Sequence, residues 1–183
     1  MNIIIIILLI VAGIIALLLL IALFMKKEHY VNREIIINAP RQKVFDYVKL
    51  LKNQDQFNKH AKADPDRKEE FKGTDGTVGF IIAWNGNKNV GEGQKEIKNI
   101  IEGKRIETEI RFVRPMSAMA SIIMETESLS DPDSYRDQTK VIWSNAGTLK
   151  YPINIMIPMM EKHVAKDMDS SLSTLKSILE KPA

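Results

Sequence analysis

The sequence predicts an α+β protein, an antiparallel sheet covered on one face by a long helix, set behind a helix able to cross a membrane. Three observations predict it. Ile3 to Phe24 carries no charged side chain. Between Glu69 and Thr148 the hydrophobic pattern has period two and is punctuated by Gly-, Asn- and Pro-containing turns. From Met156 to Leu179 apolar residues recur at steps of three and four, the spacing of one helix face.

The N-terminal stretch comes first. As a helix, Ile3 to Phe24 would reach about 33 Å at about 1.5 Å per residue, enough for a bilayer core. Its β-branched isoleucines do not oppose helix there, because lipid forces every backbone group to be satisfied within the segment. A cleaved leader would want a basic start, a shorter apolar core and a small-x-small site, and Ala22-Leu23-Phe24-Met25 is a poor one. Residues 1–25 are therefore read as an uncleaved transmembrane anchor, a single pass. Lys26, Lys27 and Arg33 follow at once, and the positive-inside rule places the following domain in the cytoplasm. The absence of cysteine fits that compartment.

All 26 Lys and Arg and all 23 Asp and Glu lie beyond Met25, so a net charge of +3 is spread over a domain of ordinary charge density. Basic and acidic residues interleave, and no nucleic-acid-binding run appears.

Residues 26–29 form a short tether and 30–183 the domain. Tyr30 to Ile37 has strand chemistry. Asn38 is placed to cap a helix that Pro40 opens, and Val44, Phe45, Val48 and Leu51 give it an apolar face. Lys52 to Lys62 continues as a second short helix anchored by Phe57. Asp64-Pro65-Asp66 turns the chain. Strands follow over Glu69–Lys72, Val78–Trp84, Val90–Ile101, Arg105–Val113, Ala118–Ser128 and Thr139–Thr148. Asn85-Gly86-Asn87, Gly103, Pro115 and Asp131-Pro132-Asp133 mark their ends. Ile106, Ile110 and Phe112 share one face of their strand and Arg105, Glu107, Glu109 and Arg111 the other, while Val141, Trp143 and Asn145 share a face of the last. After Tyr151-Pro152 a helix runs from near Ile157 to Glu180, with Met156, Met160, Val164, Met168, Leu172, Leu175 and Leu179 on its stripe. Strands joined by short turns make an antiparallel meander, and one face must be buried, so the long helix is its cover.

This order resembles the SRPBCC superfamily, also called START-like or Bet v1-like, and within it the polyketide cyclase/dehydrase branch. The resemblance is carried by Ile36-Ile37-Asn38-Ala39-Pro40 with Lys43-Val44-Phe45-Asp46-Tyr47-Val48, and by the hairpin Ala83-Trp84-Asn85-Gly86-Asn87-Lys88-Asn89-Val90-Gly91-Glu92-Gly93. Lys104-Arg105-Ile106-Glu107, Phe112-Val113-Arg114-Pro115, Thr139-Lys140-Val141 with Trp143, and Leu172 with Leu175-Lys176 complete it. It covers Tyr30 to Leu179 and implies a helix-grip fold, a curved seven-stranded antiparallel sheet around the C-terminal helix with an apolar cavity between them. The anchor lies outside the family pattern.

A strongly curved sheet does not close on a straight helix along its whole length, so large side chains fill the gap or leave a pocket. Trp84, Phe112, Met124, Trp143, Met156 and Met160 are the candidate ligand-binding lining; methionine and tryptophan suit an adaptable apolar site. The same residues at core spacing also describe plain packing. His163 beside the helix stripe, with Tyr47 and Tyr151, are the candidates for acid–base chemistry of the cyclase kind. His60 near Asp64 and Asp66 lacks a regular ligand pattern, so no metal is assigned. Glu125 and Glu127 belong to a solvated strand face. No nucleophile elbow, phosphate loop or dinucleotide fingerprint appears, and no cofactor is expected. The expected role is a membrane-anchored binding module for a hydrophobic small molecule or lipid, ahead of a cyclase/aromatase-like enzyme or a scaffold with a filled core.

Overall fold

The computed structural model describes residues 2–129 and 137–181, so the Asp131-Pro132-Asp133 turn lies outside the described residues. An apolar helix α1, Ile3–Phe24, leads into β1, Glu28–Ile37. Three short helices follow: α2 (Arg41–Lys49), α3 (Leu51–Phe57) and α4 (Lys59–Lys62). Then come β2 (Lys68–Lys72), β3 (Ile81–Asn85), β4 (Glu92–Ile101), β5 (Arg105–Arg114), β6 (Ala118–Leu129) and β7 (Gln138–Thr148). A 3₁₀ turn at Ile153–Met156 opens the long α5, Ile157–Leu179.

The seven strands form one antiparallel sheet in the order β1-β7-β6-β5-β4-β3-β2. The strand that begins the domain thus pairs with the strand that ends it, and the rest is a meander. Register shifts at Glu92/Gly93 and Ile97/Asn99 in β4 mark bulges, which bend a strand and sharpen its twist. Alternation decides the faces: Ile106 and Thr108 of β5, Ile122 and Met124 of β6, and Val141 and Trp143 of β7 are buried beneath α5. Glu125 and Glu127 face outward, as read from the sequence. Helix α5 buries Ala165, Met168, Leu172, Leu175 and Leu179 against the sheet, and α2 and α3 add Val44, Phe45, Val48, Leu51 and Phe57 to the same core.

Two local expectations are corrected. Asn38 caps no helix: Pro40 occupies the N-cap of α2 and no side chain bonds there. Asn38 instead accepts from Gln138 Nε2 at 2.8 Å, and its own N–H donates to Glu180 Oε1 at 2.6 Å, so it ties β7 and the end of α5 to β1. The upper end of the α5 stripe is also displaced. Met156 is exposed and Ile157 takes the buried place, because a 3₁₀ turn winds at about 3.0 residues per turn and shifts the phase entering the α-helix.

Helix α3 takes its cap from far along the chain. Asp75, in the β2–β3 loop, accepts from the N–H groups of Leu51 at 2.8 Å and Lys52 at 3.1 Å. Those donors have no partner within the helix. Asp75→Ala is expected to cost about 1 kcal/mol, the usual worth of an N-cap, read as a shift of the urea midpoint at unchanged slope.

Helix α1 is solvent-exposed along nearly its whole length, apart from Ala22. Its end is stitched to the domain. The buried Asn154 amide donates to Ala22 O at 2.7 Å and Met25 O at 3.1 Å, which supplies partners to carbonyls the helix leaves free. Lys26 pairs with Glu161 at 2.7 Å, and Leu149 N–H donates to Lys27 O at 2.8 Å.

Candidate functional site

Between the sheet and α5 lies a cavity of about 360 Å³. Small-ligand sites run from about 300 to 1,000 Å³, so it is room for one small molecule or one chain. Its wall is mostly apolar: Ile110 and Phe112 of β5, Ala120 and Ile122 of β6, Trp143 of β7, and Met160, Val164 and Met168 of α5. Pro115, Met119, Thr148 and His163 in the wall are exposed, so the mouth lies at the end where β5 turns into β6, β7 ends and α5 begins. That is the end at which α1 joins the domain.

Of the sequence-derived lining, Phe112, Trp143 and Met160 stand in this wall. Trp84, Met124 and Met156 stand outside it. Met124 is buried in the core below, and Met156 is exposed beside the mouth. Trp84 backs the wall: its ring lies edge-on to Phe112, centroids 5.8 Å apart, and its Nε1–H donates to Val90 O at 3.4 Å. Among the acid–base candidates, His163 is at the mouth with its side chain 74% exposed, 3.4 Å from Asp167 Oδ2. Tyr47 packs on Phe57, and partial burial raises its pKa. Tyr151 is exposed away from the wall.

His60 is in the wall too. Its Nε2 sits 3.2 Å from Val90 O and its ring is edge-on to Phe112. Desolvation holds its pKa below the ordinary histidine value, against the upward pull of the Val90 carbonyl. Asp64, its neighbour in sequence, accepts from Asn87 N–H at 2.7 Å and so fixes the β3–β4 turn.

The group that sequence reading passed over is Lys95. It lies on β4 between Gly93 and Ile97, on the inward phase, and is 7% exposed in the cavity wall. Its Nζ donates to Gln54 Oε1, and Gln54 in turn donates to Val48 O at 2.7 Å. Alternation was the available signal: if Ile97 points inward, Lys95 does too. Burial is the largest influence on its ammonium and pushes the pKa down from 10.5 to about 8, while Asp55 and Asp75 pull upward and Arg67 pushes down. Arg67, half-buried beside α3, holds Asp55 at 2.9 Å and also pairs with Glu69. Desolvation raises the Asp55 pKa, opposed by Lys95 and Arg67.

A pH signature follows. Between about 8 and 10.5 the unfolded chain holds the Lys95 proton more tightly than the folded one, so stability rises with pH there. Below pH 8 both states are charged and the cost of burying the charge is fully present. Urea midpoints of the wild type minus those of Lys95→Met are expected to climb from pH 7.5 to 10; a flat difference would place the ammonium in water.

No family model and no curated protein sequence matches the chain. Solved structures do. A Chromobacterium violaceum protein superposes with a TM-score of 0.59 at 12% identity, over 84% of this chain and 99% of that one. A hypothetical protein of Helicobacter pylori gives 0.63 at 9% identity, over 83% and 88%. Ara h 8.0201 gives 0.55 at 14% identity, over 83% and 97%. This chain has the helix-grip fold. The likeness carries that architecture, at identities too low to carry a reaction or a ligand, and it does not select the polyketide cyclase branch. Helix-grip geometry also accounts for the cavity: a sheet that bends around α5 stands away from it at the open end.

Proposed function

We propose that the protein is a membrane-anchored binding module for a hydrophobic small molecule or single-chain lipid, held between the sheet and α5. The observation that carries this reading is the apolar cavity of about 360 Å³ whose mouth lies at the anchor end. Phe112, Trp143 and Met160 contact the guest, with Trp84 and Met124 supporting the wall. A core packed solid would have favoured a scaffold.

The anchor is α1. Length and composition allow it to cross a bilayer, though a signal sequence passes the same test. The Asn154 tie supports retention, since cleavage near Met25 would strip its two nearer acceptors, Ala22 O and Met25 O, from the fold. The domain 30–183 is held against the membrane in the cytoplasm, behind Lys26 and Lys27. Exposed Tyr151, Ile153, Met156 and Met159 surround the junction and suit the headgroup layer. A guest then passes between bilayer and cavity without crossing water.

Native mass spectrometry of the full chain released from membranes tests the binding reading. A co-purifying small-molecule adduct is expected, and a chain that is always empty and takes up no apolar probe would end it. Alkaline extraction with protease protection tests the anchor: the chain stays in the pellet and the domain is digested only when the cytoplasmic face is open. A cyclase-like reading rests on the His163–Asp167 pair at the mouth, and the exposure of His163 ranks it second.

A further inference from the structure

We propose that the cavity selects an apolar molecule bearing an anionic head, most simply a carboxylate, with the head at Lys95 and the tail toward the anchor end. This names the ligand class of the binding site above and rests on that reading.

The inner face of the sheet is not uniformly apolar. Register aligns Lys95, Ile110, Ala120, Gly147 and His29 in one row across five strands, with Thr108 and Asn145 in the next. An ammonium has three N–H donors, and Gln54 Oε1 is the one hydrogen-bond partner Lys95 has among the described residues. On the same face Trp143 Nε1, Thr108 Oγ1 and His29 Nδ1 are buried with no hydrogen-bond partner among the described residues. Folded proteins rarely leave such atoms orphaned, and Trp143 and His29 share the cavity wall with Lys95. His29 gives its Nε2–H to Asn145 Oδ1 at 3.0 Å, which leaves Nδ1 an acceptor. The spare donors in that mostly apolar wall are therefore the Lys95 ammonium and the Trp143 N–H, and they call for an acceptor that the described residues do not supply.

Charge decides which acceptor. The carboxylates that pull on Lys95 are committed elsewhere: Asp75 to the N-terminus of α3, Asp55 to Arg67. Asp167 in the wall is held by Lys59 at 2.7 Å and faces His163. Among the described residues the ammonium, still protonated at neutral pH, therefore has no carboxylate of its own, and burial makes it favour an ionised partner over a neutral one. Size points to a single tail: about 360 Å³ sits at the small end of ligand sites, too little for a two-chain lipid.

The test uses the full chain in discs of zwitterionic lipid, with equilibrium dialysis of labelled decanoate and decanol at pH 7 and empty discs as the blank. Wild type is expected to hold decanoate about tenfold more tightly than decanol, the scale of a charge-assisted pair. Lys95→Met is expected to bring the decanoate-to-decanol affinity ratio down to about one; Trp143→Phe, which keeps the charge but removes the indole N–H, lowers the ratio about threefold. Equal affinity for the two probes in the wild type overturns the anionic head and leaves the cavity reading standing. A preference that survives both substitutions overturns the placement of the head at Lys95 and likewise leaves the cavity reading standing. Binding of neither probe by folded wild type removes both.

Discussion

Phe57→Ala is expected to lower the unfolding free energy by about 3–5 kcal/mol, the range for emptying a buried aromatic site. Phe57 ends α3, is 1% exposed, and meets Trp143 edge-on with centroids 6.1 Å apart and planes at 84°. It also lies 6.4 Å from the Tyr47 ring, so it joins two helices to the inner face of the sheet. Little can collapse into the space, because α3 is pinned at its start by Asp75 and through Gln54 at its middle. Trp143 is itself part of the cavity wall, so the vacated volume lies next to the cavity. Urea unfolding followed by the near-ultraviolet tryptophan signal measures the loss. Longer-chain probes should bind the folded variant better than they bind the wild type. A cost under about 1.5 kcal/mol would mean that the ring is not keyed into the core.

Where local chemistry dominates, the fold was legible in the sequence. Helix α1 was plain because an uncharged stretch of that length has few other uses. The meander was plain because Asn85-Gly86-Asn87, Gly103 and Pro115 punctuate a pattern of period two. The errors fall where distant groups intervene. Asn38 has the chemistry of a cap, but Gln138 and Glu180 recruit it, and both partners lie about a hundred or more positions away. Met156 sits correctly on an ideal stripe, and the 3₁₀ turn rotates it off. At the site, Phe112 and Trp143 were legible from alternation alone. Lys95 was legible by the same rule, but charged residues default to the solvated face, and nothing local announces that Gln54 waits across the interior. Met168 and Ile122 were legible as interior, but not as wall rather than core, because that depends on how far the sheet stands from α5.

Gly91→Ala is expected to cost about 3 kcal/mol or more, in two separable parts. Gly91 has φ +69°, where an L side chain loses about 1–2 kcal/mol. The remainder is steric: a Cβ there would collide with the carbonyl oxygen of Arg114, which is backbone and does not yield like a side-chain tip. Arg114 has little freedom to retreat, since its guanidinium holds Glu92 at 2.8 Å and Asn85 at 2.7 Å and so straps β5 to β4 and β3. Gly79 separates the two parts. It has φ +87° with open space around its would-be Cβ, so Gly79→Ala should show the conformational cost alone. The damage at Gly91 should also reach the site, because the neighbouring Val90 carbonyl holds both Trp84 Nε1 and His60 Nε2 behind Phe112. Probe binding should therefore weaken in Gly91→Ala and persist in Gly79→Ala. Equal destabilisation of the two variants would show that β4 and β5 part easily at that corner, and that the wall behind Phe112 is not braced through Val90.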